Sequence, residues 1–394
     1  MTNAFEFYGI CICMTILAIF FLSTPHCVFS SRRPITHRTP TAVRGLLHPL
    51  AVPTDTLLRS RASANARLCR AFRLSNSLVD PDLAVHAVFL GECRALLEAA
   101  GCWTRFSGVA LQAVELALPD IATPFHVFVR AVTLCTVIEG LLDPHTDITS
   151  STSNDVDIVT SGITRLWLLS KDPEPIPEHL LAELNASLRR LLPDIEKYPN
   201  PLDFVIPAWE VLWCVVAVTI ARVHEDEAAC EAFRDFSANL DILPFFHAPR
   251  RGGTSSSVEN YINESLRLRP SIRHITRHIF KPSILTPILP GFLATRIPPP
   301  IDTEFADIES AQRSAFRSSG SPPEAYDAAR FMRSPRASDV LAFGHGPLKC
   351  IAANWAPTAA AVIVGALLNR VNVVRGGRIG GREGWDGWMV RQLA

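Results

Sequence analysis

The sharpest chemical signal in the sequence is Phe343-Gly344-His345-Gly346-Pro347-Leu348-Lys349-Cys350. Two glycines within three residues allow backbone angles closed to other side chains. If the cysteine opens the apolar segment that follows, the orphan N–H groups and the helix dipole there favour a thiolate. Such a thiolate suits the axial position of a haem iron. Amides held near the sulfur by the glycines would tune its potential, and Phe343 would shield it from water. At the chain's own residue frequencies, Phe-x-x-Gly-x-x-x-Cys is expected about 0.03 times by chance, so the pattern carries weight. The competing reading is a packed cysteine beside an ordinary helix, the usual state of a buried Cys.

A second constellation lies upstream in Asn263-Glu264-Ser265-Leu266-Arg267-Leu268-Arg269-Pro270. Glu264 and Arg267 stand three apart, on one helix face, where they can pair. Ser256 and Glu259 are placed for a capping box, and Pro270 ends the helix. Glu-x-x-Arg alone is expected about 1.6 times by chance in so arginine-rich a chain, and alone would mean a surface ion pair. Its weight comes from preceding Cys350 by 86 residues, with a strand-like, proline-punctuated stretch over 270–300 in between.

In this order the two motifs resemble those of the cytochrome P450 superfamily, in particular its fungal microsomal members, with a shortened N-terminal half. The resemblance runs over about residues 55–394. It implies that Cys350 is the proximal thiolate of haem b, with Phe343 and Gly346 shaping its loop. Glu264 and Arg267 would form a buried structural pair completed by an arginine from residues 330–336, Arg333 or alternatively Arg336. Arg277 falls where the superfamily sets a cation against a haem propionate, a group that needs charge-assisted donors. The sequence also departs from the pattern. Leu348 stands where a basic propionate donor is usual, Ala352 replaces a glycine, and Pro357 would sit seven residues into the helix expected to start at Cys350. On the distal side the matching stretch is Pro207-Ala208-Trp209-Glu210-Val211. A lone acid among Val, Leu and Trp is costly to bury, so Glu210 is the candidate proton relay during O–O cleavage, whereas its solvent-facing alternative is structural. Val211 stands where the superfamily has an alcohol.

The elements that must position these residues follow from the wider pattern. The chain has 394 residues, 48% apolar and 19% charged, with formal net charge +0, which excludes a disordered chain and gives no sign of nucleic-acid binding. Ten cysteines are too few for a disulfide scaffold of this length. Residues 7–29 carry no charge and are long enough to span a bilayer, and the arginines after them place the following chain in the cytosol. We expect an anchor over 1–30, a Pro-rich linker over 31–54 and a catalytic domain over 55–394. Apolar spacing of three and four predicts helices over 85–100, 125–142, 177–192, 204–223 and 225–240. Residues 146–157 read as a polar loop. The uncharged segment 351–369 is long enough for a second span but, with its Asn, Trp and Pro, reads as a core helix. His86, His126, His179, His274 and His278 lack metal-ligand spacing, and the tryptophans read as packing residues. The fold expected is mainly α with a small β portion, P450-like, preceded by one transmembrane helix.

The function that the resemblance implies is a haem-thiolate monooxygenase of the endoplasmic reticulum membrane, single-pass with a cytosolic catalytic domain. It would oxidise a lipophilic small molecule in fungal secondary metabolism, with electrons from an NADPH-dependent reductase. Two alternatives stay open: a haem-thiolate isomerase or dehydratase that does not use O2, which needs no distal alcohol, and a degenerate haem protein without catalysis.

Overall fold

The computed structural model of the protein describes residues 34–118, 121–143, 145–146, 148–149, 152–240, 256–281, 301–316, 320–333 and 340–393. The expected anchor over 1–30 therefore lies outside the described residues. The chain divides into two compact units, a small one (1–35 and 278–304) and a large one (36–277 and 305–394). Within the small unit Lys281 pairs with Asp302. Everything below concerns the large unit unless stated.

After strand β1 (Ile35–His37) come helices α1 (Pro40–Leu47), α2 (Thr54–Ala64), α3 (Ala66–Phe72), α4 (Leu83–Ala99) and α5 (Trp103–Ala117). Strand β2 (Thr123–Pro124) leads into α6 (Phe125–Val137), followed by α7 (Ser153–Leu169), α8 (Glu178–Leu191), α9 (Leu202–Val223), α10 (Glu227–Ala238) and α11 (Val258–Leu268). Strands β3 (His274–Phe280) and β4 (Ile301–Asp307), helices α12 (Ile308–Ala315), α13 (Arg330–Arg333) and α14 (Ala356–Leu368), and strands β5 (Val371–Val374) and β6 (Met389–Gln392) complete the order. The small β portion consists of two three-stranded sheets, in the orders β1-β4-β3 and β2-β6-β5. In the second sheet β6 is antiparallel to both neighbours, with Thr123 opposite Val390 and Val373 opposite Val390 on the other side.

The mainly α reading holds, and the five helices expected from apolar spacing are all present. Some expectations change. Part of the stretch expected as a linker is folded, because α1 buries Val43, Leu46 and Leu47 and is capped by Thr39, whose side chain accepts from the Ala42 N–H. The expected loop over 146–157 is shortened by α7, which starts at Ser153. Helix α6 runs into a wide π turn over Ile138–Leu142, where the Asp143 N–H reaches back five residues to the Ile138 carbonyl at 2.7 Å. The segment proposed as a possible second span is a core helix, with every residue of α14 from Thr358 to Leu368 buried.

The core is a helical bundle in which α5, α6, α9 and α14 pack on one another and α10 and α11 pack against them. Helices α9 and the α6–π segment are long and apolar enough to cross a membrane, but both are mostly buried inside the protein. Close approach is built into the sequence at Gly365 of α14. A Cβ there would stand 1.9 Å from the Ser237 hydroxyl and 3.0 Å from the Phe233 carbonyl, both on α10. Helix α9 contains Pro207, which cannot donate to the Asp203 carbonyl four residues back. The Asn76 side-chain amide donates to that carbonyl at 2.7 Å instead. The Asp203 carboxylate in turn accepts from the Ser75 and Asn76 backbone N–H groups at 2.9 and 3.2 Å. Thus the loop before α4 repairs the proline defect and fixes the start of α9.

Candidate active site

Residues 343–350 form a loop turned by Gly344 (φ +76°) and Gly346 (φ +73°). Gly346 meets a second constraint, since a Cβ would lie 2.5 Å from the Cβ of His48 on the segment after α1. The loop closes on itself where the Cys350 N–H donates to the Phe343 carbonyl at 2.9 Å. Cys350 does not open a long helix as expected. It caps a short 3-10 turn (Ile351–Asn354), and α14 begins only at Ala356. Pro357 therefore falls in the first turn of α14, where its missing N–H costs nothing, and the expected helix defect does not arise. The amide supply to sulfur survives this change. Packing around Cys350 pushes its thiol pKa up, while the Ala352 backbone N–H, hydrogen-bonded to the sulfur, and the nearby Lys349 charge pull it down. The Cys350 side chain stays accessible from the cavity in front of it.

That cavity has a volume of about 830 Å³. The Cys350 loop and Phe343 form one wall, and α9 contributes another with Glu210, Val211, Cys214 and Val215. No α9 residue lining it carries a hydroxyl. Glu210 is buried, 3% exposed, yet it is not a lone acid. Arg382, from the loop before β6, grips both carboxylate oxygens, with Nη2 donating to Oε2 at 2.6 Å and Nε to Oε1. Burial pushes the Glu210 carboxyl pKa up, opposed first by Arg382 and then by Arg130 and Arg67. A carboxylate whose two oxygens both accept from one guanidinium is held as an acceptor, and this is poor geometry for the proton relay expected of it. Arg382 also lies over the Trp167 ring, 4.3 Å from its centroid.

Arg277 on β3 reaches the cavity, is 6% exposed, and has no partner for its Nε. Arg61 from α2 joins it there, donating Nη2 to the Ser77 carbonyl and hydroxyl and likewise leaving Nε unpartnered. Burial brings both guanidiniums down to about 10, and at Arg61 the Arg277 charge adds to it. His86 on α4 stands beside them, its Nδ1 2.6 Å from the Ser77 hydroxyl. Burial, then the Arg61 charge, lowers its pKa.

Behind the cavity, Glu264 and Arg267 on α11 are both fully buried and pair bidentately, at 2.7 and 2.9 Å. Among the described residues the third member is Arg330 rather than Arg333. Arg330 is fully buried, its Nε lies 3.4 Å from Glu264 Oε1, and its other nitrogens donate to the Ser321, Pro322 and Ala325 carbonyls. The Asp327 N–H adds a 3.0 Å bond to the same Glu264 oxygen. Arg333 pairs instead with Asp327 and is half exposed, and Arg336 lies outside the described residues. The cap of α11 is Ser257, which accepts from the Asn260 N–H, rather than the neighbouring Ser256.

No family model matches the chain, and no curated protein matches its sequence. Solved structures do. A six-coordinated cytochrome P450 from Thermus thermophilus is 14% identical, with a TM-score of 0.57 over 92% of this chain and 93% of that one. CYP175A1, also from Thermus thermophilus, is 14% identical, with a TM-score of 0.59 over 91% and 89%. CYP109Q5 from Chondromyces apiculatus gives 15% and 0.52 over 91% and 89%. The fold is that of the cytochrome P450 superfamily. At this identity the likeness speaks for architecture, and the site must be judged on its own residues.

Those residues fit a P450 haem. The cavity is lined by a cysteine with an amide on its sulfur and by an apolar helix, and two guanidiniums with orphaned Nε donors, the buried Arg277 and the half-buried Arg61, line the same space. Two partly desolvated cations without a carboxylate are costly alone and are what two propionates would neutralise. The resemblance singled out Arg277, which lines the cavity, whereas no motif marks an arginine such as Arg61 in a short amphipathic helix. Nor does one mark Arg382, since its segment reads as glycine-rich turns. Trp385 and Trp388 are buried as expected, whereas Trp167 does more than pack and lines the cavity.

Proposed function

We propose that the protein is a haem-thiolate monooxygenase acting on a small molecule with a large apolar part. The observation that carries this reading is the placement of Cys350, with the Ala352 N–H on its sulfur, across one cavity from α9 and beside the Arg61–Arg277 pair. Cys350 would hold the iron, and Arg61 and Arg277 would take the propionates. Haem bound there supplies O2 activation and oxygen insertion, for which a thiolate ligand is suited. The chain's own contributions are distinct. Phe343 lines the cavity and its carbonyl closes the cysteine loop, and the positive-φ turns at Gly344 and Gly346 hold that loop so that the Ala352 amide reaches the sulfur. Glu210 serves as an anchor rather than a relay, tying the loop that carries Arg382 across α9. Val211, Val215 and Phe204 supply an apolar wall that keeps bulk water from the reacting face. As a further part of this reading, residues 1–30 anchor the protein in the endoplasmic reticulum membrane, an NADPH-dependent reductase supplies electrons, and the pathway is fungal secondary metabolism.

One observation favours a second reading. The α9 wall carries no hydroxyl and its one acid is committed to Arg382, so no side chain on that wall is placed to pass protons. A haem-thiolate isomerase or dehydratase would need none. Product formation with and without NADPH and reductase separates the two. Strict dependence on both supports the monooxygenase, and turnover of a peroxide or epoxide without either supports the isomerase.

A further inference from the structure

The described lining of the cavity holds nine arginine and lysine side chains but only two acids, Glu210 and Glu383. The cations fall into separate groups. Arg61 feels the Arg277 charge and hydrogen-bonds Ser77, whose hydroxyl lies against His86. Arg67, by contrast, feels Arg382 and Glu210. It lies on α3 and donates Nη1 to the Ser170 hydroxyl at 2.6 Å, with its guanidinium 4.8 Å from the Trp167 ring centroid. Ser170, 1% exposed, is held in turn by its hydroxyl donating to the Trp167 carbonyl at 2.7 Å. Lys171 follows directly and lines the same cavity, as does Arg378 from the loop that carries Arg382. Among the described residues no carboxylate forms an ion pair with Arg67, Lys171 or Arg378, and Glu210, whose charge Arg67 feels, is gripped by Arg382.

We propose that this second cation group receives the carboxylate of the substrate, so that the substrate class is an amphipathic organic acid with its apolar body along Phe89, Leu90, Phe204 and Val215. The proposal rests on the monooxygenase reading for what happens to the bound molecule, but the recognition does not depend on it. Propionates account for the first group only. Arg67 is presented to the cavity by a packed indole and a buried serine, so its side chain is already ordered and little freedom is lost when an anion arrives. Lys171 adds a more mobile charge, and the apolar walls set where the rest of the chain lies. A neutral lipid would leave the group's charge without an anion in a partly desolvated site.

The test uses the haem-loaded full chain and two probes of equal length, dodecanoate and dodecan-1-ol, titrated by calorimetry at fixed ionic strength, with haem content measured for every variant. The expected result is dodecanoate binding roughly tenfold or more tighter than the alcohol, the scale of one charged hydrogen bond. Arg67→Gln with Lys171→Gln should bring dodecanoate to the level of the alcohol and leave alcohol affinity and haem content unchanged, while Arg67→Lys should keep most of the preference. Equal affinities in the parent, no binding of either probe, or a preference that survives the double variant would overturn the proposal. So would loss of haem in the double variant, since Arg67 would then serve a propionate. If the chain fails to give a haem-thiolate spectrum but still prefers dodecanoate, the oxidation reading fails and the carboxylate site stands.

Discussion

At the residue scale, the buried Glu264–Arg267–Arg330 triad and the exposed Arg333–Asp327 pair make opposite predictions from similar-looking arginines. Removing one member of a fully buried ion network leaves an uncompensated charge and costs about 3–5 kcal/mol, so Arg330→Ala should lower the denaturation midpoint strongly or prevent folding. Arg333→Ala breaks a half-exposed pair and should cost under about 1 kcal/mol. Chemical denaturation of the two variants checks this, and equal losses would return Arg333 to the core. Glu264 and Arg267 were legible because their spacing puts both on one helical face. The third member was not, since three arginines lie within seven residues and burial, not sequence, decides among them. Arg61 and Arg277 carry a prediction of mixed sign. Burial holds both guanidiniums down at about 10 in the absence of an anion, so their charged forms oppose folding of the haem-free protein. Replacing both with Gln should therefore raise the melting temperature of haem-free protein and speed haem loss from the loaded form. A lower melting temperature with haem loss unchanged would mean that the pair acts through packing alone.

At the scale of elements, helix existence could be read from apolar spacing, whereas helix starts depended on contacts distant in sequence. The start of α14 is the clearest case. Pro357 looked like an internal defect only while the helix was taken to begin at Cys350, and the 3-10 turn over Ile351–Asn354 moves it into the first turn. Pro357→Ala should accordingly leave stability within about 0.5 kcal/mol of the parent, as for other surface-like changes. Gly365 lies farther along the same helix, where α14 and α10 touch. A Cβ 1.9 Å from Ser237 Oγ has no room, so Gly365→Ala should cost about 1–3 kcal/mol by overpacking, and pairing it with Ser237→Gly should recover part of that loss. Thermal denaturation of the single and double variants reads both effects. Nothing local marks Gly365 as a contact glycine, because its meaning resides in a helix more than a hundred residues upstream.

At the scale of the whole molecule, the order of motifs carried the fold where identity is only 14–15% to the P450 structures it matches. The spacing from Glu210 to Cys350 suggested a helix passing the cysteine site, and α9 and the cysteine loop do line one cavity. The charge of that cavity was not legible. A chain of net charge +0 gathers its cations there from α2, α3, the end of α7, β3 and the C-terminal loop, and only folding brings them together. The same gathering explains why Glu210, read in the sequence as a lone acid, is instead a counter-ion.

The central claim is that Cys350 supplies a thiolate to a haem iron held in this cavity. Reduced, haem-loaded protein mixed with carbon monoxide tests it most directly. The strongly red-shifted Soret band of a thiolate-ligated haem is expected, lost in Cys350→Ala even where that variant still retains haem. A well-folded protein that takes up haem without that band, or a Cys350→Ala variant that keeps it, would contradict the assignment.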